Sequence, residues 1–236
     1  VNDPRARLVR PTDVTLMAVV GSAATIAWSL SFLLVRYPAL PQLLPVHFMA
    51  GGLPDGWQFK TYWRVLLPVF VQTALALILG AVGVLLLSRR HGAEDQDAAD
   101  VKAAATATEA VALLTFIWVA FQAYAGVALA MMWQRERAGL GPAYGVIEVA
   151  GLALTVVVSI RAHSRLGRPA ARPFIPEHWR YGQLYNNPDD PALFVPTRQG
   201  ARWTLNFGRP VAAALLGLVL FLGIVCPAVI LGLLLR

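Results

Sequence analysis

The sequence predicts an all-α integral membrane protein with about five transmembrane helices, and three observations carry that prediction. Of 236 residues, 57% are hydrophobic and only 14% charged, whereas a soluble domain carries about a quarter charged residues. The apolar residues are also continuous. A hydrocarbon core about 30 Å thick takes about 20 apolar residues at helical rise. Four stretches reach that length without a charge: 14–35 (VTLMAVVGSAATIAWSLSFLLV), 65–88 (VLLPVFVQTALALILGAVGVLLLS), 110–132 and 210–235. Thirdly, Lys and Arg divide unevenly among the connections, as in chains sorted by the positive-inside rule.

Residues 1–13 form a short Arg-bearing segment. The apolar stretch that follows is longer than a signal-peptide core and is expected to be an uncleaved anchor. Residues 14–160 are expected to form a four-helix membrane domain. Its last span, 144–160, is the shortest and carries Glu148; it is accepted because its removal would break the charge pattern. With the N-terminus inside, Arg5, Arg7, Arg10, Arg89, Arg90, Lys102 and the arginines of 161–209 are cytoplasmic. Only Arg36, Lys60, Arg64, Arg135, Arg137 and Arg236 fall on the other side. The expected topology is therefore N-in, C-out, with 210–236 as the fifth helix. A net charge of +7 is spread through loops rather than gathered on one face, which argues against nucleic acid as a partner. The single cysteine, Cys226, excludes an intramolecular disulfide framework.

The outer connection, 36–64, reads RYPALPQLLPVHFMAGGLPDGWQFKTYWR. Its Pro, Gly and aromatic content predicts an ordered loop, with Tyr37, Trp57, Tyr62 and Trp63 against the membrane interface. The connection 89–108, acidic and then Ala-rich, reads as a solvated helical arm or a connector that lengthens its two helices. The longest polar segment, 161–209, is crossed by prolines that forbid a continuous helix. Runs at 179–185, 193–196 and 202–207 are strand candidates, and the NNPDDP run has strong turn chemistry. A small cytoplasmic module rich in β-turns is expected, too small to bury a core of its own.

Two constellations stand out. In LPVHFMAGGLPDGWQFK the candidate ligand-binding residues are His47, Phe48, Gly52, Asp55 and Lys60; His47 and Asp55 can share a hydrogen bond or a proton. The pattern P-x-H-F…G-x-P-D…K resembles the membrane domain of SDP-type bacteriocin-immunity proteins. That resemblance implies a bacterial inner-membrane helical protein, of a kind that sometimes serves toxin immunity or signalling and is often of unknown role, and no enzyme. A metal at His47 is poorly supported, because His91, His163 and His178 fall on the cytoplasmic side. The second constellation, 179–210, is similar to an uncharacterised module with the pattern Y-x-N-P-D-D-P-x-x-F-V-P-x-R-x-G-x-x-x-T-x-N-x-x-x-P. Its candidate partner-binding residues are Tyr185, Asn187, Asp189, Asp190, Phe194, Arg198, Trp203 and Asn206. The Asp189–Asp190 pair suits backbone capping better than a hard cation.

Within the spans, Glu109 is expected at the start of the third helix and Glu148 about one turn into the fourth, each near an interface or a helix N-terminus. Gln72, Thr115, Gln122 and Ser159 can bond between helices. No carboxylate chain crosses the bilayer, and no zinc, haem, phosphate-loop or nucleophile motif occurs. The expectation is a non-catalytic receptor, immunity or signalling protein without cofactors, partnered by the bilayer and by proteins. The alternative is an accessory subunit of a larger inner-membrane complex.

Overall fold

A computed structural model describes residues 7–49, 54–89, 97–135, 139–167, 169, 173–200 and 202–220. The chain is mainly helical. Among the described residues, four helices are long and apolar enough to cross a bilayer: Asp13–Ala39, Leu67–Leu87, Asp100–Gln134 and Ala143–Leu166. In order, the elements are β1 (Arg7–Leu8), α1 (Asp13–Arg36), β2 (Leu43–Phe48), β3 (Pro54–Phe59), α2 (Tyr62–Val65), α3 (Leu67–Leu87), β4 (Ser88–Arg89), α4 (Asp97–Gln134), α5 (Pro142–Leu166), β5 (Trp179–Arg180), β6 (Leu184–Tyr185), β7 (Phe194–Pro196), β8 (Trp203–Leu205) and α6 (Pro210–Leu220). The 221–236 part of the expected fifth span lies outside the described residues.

The helix ends follow local chemistry. Asp13 opens α1 and Arg36 closes it, each favourable to the end of the macrodipole it occupies. Pro142 and Pro210 stand first in α5 and α6, where a missing N–H costs nothing. The hydroxyl of Thr61 caps α2 by accepting from the Arg64 amide at 3.4 Å.

By internal packing the chain divides into two units: 13–80 with 110–161, and 1–12 with 81–109 and 162–236. In the first, Leu33, Leu40, Leu44, Val65, Val69, Ala130, Met132 and Trp133 form one buried cluster. A polar knot ties three helices: the fully buried Gln72 of α3 donates to Ser29 Oγ of α1 and to the Val119 carbonyl of α4, both at 3.0 Å. The inter-helix bonding expected of Gln72 is therefore present.

In the second unit, β1 pairs antiparallel with β4. Glu109 departs from expectation. The helix begins at Asp97, not near 109, because the Ala-rich acidic run continues it N-terminally. Glu109 is thus well inside α4, and the macrodipole at a helix start does not explain it. It is buried instead, ion-paired with Arg165 and accepting from Thr12 Oγ1 at 3.0 Å, as a charge taken out of water requires. Likewise Glu148 lies nearly two turns into α5 and is exposed.

Candidate functional site

The segment 173–209 folds as two short hairpins. In the first, Trp179 pairs with Tyr185 and Arg180 with Leu184. The run 179–185, expected as one strand, reverses through the three residues 181–183 between its paired ends, with left-handed φ angles of 52° and 69° at Tyr181 and Gly182. In the second, Phe194, Val195 and Pro196 pair with Leu205, Thr204 and Trp203. Between them the NNPDDP run folds on its own side chains. Asn187 Oδ1 accepts from the Asp189 amide at 3.0 Å, Asp190 Oδ1 from the Ala192 amide at 2.9 Å, and Asp190 Oδ2 from the Tyr185 hydroxyl at 2.9 Å.

Asn206 is the hub. Fully buried, it donates through Nδ2 to the carbonyls of Asn187 (2.8 Å), Asp190 (3.2 Å) and Ala192 (3.2 Å). Its Oδ1 accepts from the amides of Asn187 (3.1 Å) and Gly208 (3.0 Å). One side chain thus satisfies the loop's buried backbone groups, which no strand ladder reaches. Gly208 is fixed by the same closeness: a Cβ there would stand 2.6 Å from Pro188 N and 2.7 Å from Asn187 N. The apolar contribution is small, Tyr185, Ala192 and Val195 with Trp179 packed on them. The rest is borrowed from the helices of this unit. The Phe194 amide donates to Asp100 Oδ1 at 2.8 Å, and Trp203 Nε1 to the carbonyls of Leu166 and Gly167 at 3.3 and 3.2 Å.

This scaffold holds open a cleft of 340 Å³. Tyr185, Asn187, Asp189, Asp190 and Arg198, all singled out from the sequence, line it; Phe194, Trp203 and Asn206 do not, being occupied in the framework. Phe174, His178 and Trp179 also line it and were missed, although the density of rings around Pro173 and Pro176 was a signal. Trp179 and His178 meet Tyr185 edge-on at 5.3 and 5.8 Å, and the Arg198 guanidinium lies over the Phe174 ring at 4.5 Å, a cation–π geometry. Asp189 is exposed on the rim, and its carboxylate has no partner among the described residues. Ring faces, a free carboxylate and a guanidinium in a concave wall are suited to holding an extended peptide segment.

The other constellation, expected as an ordered loop, is a β-hairpin. Leu43, Leu44 and Pro45 oppose Phe59, Gln58 and Trp57; the register then shifts twice, at Val46 so that His47 opposes Gly56, and at Asp55 so that Phe48 opposes Pro54. Three anchors hold it. Leu44 is wholly buried in the helical cluster, Trp133 Nε1 donates to the Pro45 carbonyl at 3.0 Å, and Lys60 Nζ donates to the carbonyls of Leu40 (2.8 Å) and Tyr37 (3.3 Å). Lys60 therefore serves the hairpin's base. His47 Nδ1 and Asp55 Oδ1 are 2.6 Å apart, as the sequence suggested, with 73% of the His47 side chain exposed. Gly56 lets the strands close, since a Cβ there would meet His47 Cβ at 2.9 Å. Gly52 lies outside the described residues. Among the described residues no three His, Cys, Asp or Glu side chains gather as metal ligands.

Long apolar helices carrying two small β elements define a multi-helix membrane protein. Two family models match parts of it: a domain of unknown function, DUF1648, over residues 24–71, and a family of unknown function, DUF5808, over residues 188–212. The first spans the hairpin with the adjoining ends of α1 and α3, and the second the part of the Asn206 framework from Pro188 onward; each is similar to a short part of the chain. No curated protein and no solved structure matches.

Proposed function

We propose that this chain is a non-catalytic bacterial inner-membrane protein of the SDP-immunity-like kind, a receptor or signalling protein that meets a peptide or toxin at the His47 hairpin and a protein partner at the module cleft. The observation that carries this reading is the cleft. Five residues chosen from sequence converge on one concave wall, while the remainder of the module is spent on holding that wall open. The arginine distribution supports a five-span, N-in, C-out arrangement with the cleft in the cytoplasm and α6 as the start of the fifth span. An accessory-subunit role is a second reading, favoured by the exposure of α5.

Reversing the rim charges, Asp189→Lys with Arg198→Glu, leaves the Asn206 framework intact. The double variant is expected to lower protection against the cognate toxin, or the response of neighbouring genes, by about tenfold, the equivalent of one lost contact of 1.4 kcal/mol. Wild-type behaviour in both assays overturns the proposal.

A further inference from the structure

Helix α5 is the least covered of the four long helices. Only 6% of its most apolar stretch is buried, against 33% for α4, and Val146, Val149, Leu152 and Val156 are all more than half exposed. Lipid covers such valines and leucines at no cost. It does not cover Glu148, which is exposed on the same helix, lies within electrostatic reach of the Tyr144 hydroxyl one turn back, and has neither hydrogen bond nor ion pair among the described residues. The next charge along α5 is Arg161, about 20 Å away at 1.5 Å per residue. With Arg161 at one boundary of a hydrocarbon layer about 30 Å thick, Glu148 lies about 10 Å inside the other. A carboxylate at that depth faces another protein group, not acyl chains.

The chain itself carries a matching group. Arg135 follows the last residue of α4, at the end of this unit where α5 begins, and it too is exposed without a side-chain partner among the described residues. Its long stem lets a guanidinium at the boundary reach inward. One turn before Glu148, Gly145 is exposed and a Cβ there would meet nothing within 4 Å, so a second helix backbone can approach closely.

We propose that the Gly145–Glu148 face of α5 is the contact of a two-fold dimer, in which Glu148 of one copy pairs with Arg135 of the second and the reverse. Two-fold symmetry makes both pairs from one surface, and the opposite charges at the same end of the unit select a second copy as the occupant. The cleft reading is independent of this assignment.

The test uses the full chain, purified and labelled with donor and acceptor dyes in phosphatidylcholine vesicles, with energy transfer followed as lipid dilutes protein. Wild type is expected to dimerise, Glu148→Arg and Arg135→Glu each to weaken association at least tenfold, and the combined swap to restore it. Restoration also shows that the single variants had folded. In a Cys226→Ala background, Gly145→Cys is expected to form a disulfide dimer, and Leu154→Cys is not. A wild type that stays monomeric at every dilution, or a swap that restores nothing, overturns the proposal. A chain monomeric when pure but covered at Gly145→Cys in native membranes gives the face to a different protein and overturns the second-copy assignment.

Discussion

The hairpin at 43–59 and the module at 173–209 are both β structures too small to stand alone, yet they are held by opposite means. The hairpin is held from outside. Leu44 enters the helical cluster, Trp133 binds the hairpin backbone at Pro45, and Lys60 ties its base to the carbonyls of Tyr37 and Leu40. The module is held from inside, by an asparagine that makes five hydrogen bonds where a core would otherwise be. The difference shows where each can tolerate change. A hairpin pinned by burial is free to vary the side chains facing away from the helices, including the His47–Asp55 pair. A module pinned by a polar hub is free to vary only what the hub does not touch, namely the cleft rim.

The sharpest way to break this contrast is Asn206→Ala. Removing the amide strands buried carbonyls of Asn187, Asp190 and Ala192 together with two amides. At about 1–3 kcal/mol for each buried group left unpaired, with partial relaxation, the module loses about 4 kcal/mol. Hydrogen exchange at the amides of Asn187 and Gly208 should accelerate by roughly three orders of magnitude. The hairpin amides should not change. Equal acceleration in both would show that the two elements do not have separate supports.

A smaller effect is expected from the matching change in the hairpin, Leu44→Ala. The side chain is wholly buried, so its loss costs about 3 kcal/mol in transfer and cavity terms. The exchange of amides at 43–59 should rise about a hundredfold, with those around Asn206 unaffected. Were Leu44→Ala silent, the hairpin would rest on Trp133 and Lys60, and the contrast between apolar and polar support would fall.

The sequence discloses these two supports unequally. The four long helices were legible because bilayer solvation writes continuous apolar runs that no soluble fold tolerates. The NNPDDP turn was legible because Asn and Asp bond their own backbone. The hairpin was not. Pro45 and Pro54 interrupt its strands and the bulge at Val46 breaks the alternation that reports a strand; it exists because Leu44 and Trp133, far apart in sequence, meet. Asn206 was picked out, but its type alone cannot tell a hub from a contact residue, since both display the same amide. Phe174, His178 and Trp179 escaped notice because a cleft is a property of the hairpin fold, not of spacing. For Glu109, the composition of 97–108 permitted a connector or a helix, and only the pairing with Arg165 and Thr12 explains why a carboxylate is buried there.

The smallest stability effect is expected where function is proposed. Asp55→Asn removes the charge facing His47, but the imidazole is mostly exposed and the carboxylate about one-third exposed, so solvent screens the pair and its worth is at most about 0.5 kcal/mol. Leu44, Trp133 and Lys60 are untouched, and hairpin exchange should match wild type within about twofold. If the pair presents a recognition surface, the same variant should nevertheless lose most of its response to the ligand or toxin. Response and stability would then separate, as they cannot in Leu44→Ala. A variant that destabilised the hairpin as much as Leu44→Ala would place His47 and Asp55 among the supports. One that changed neither stability nor response would leave the exposed pair without a role in recognition.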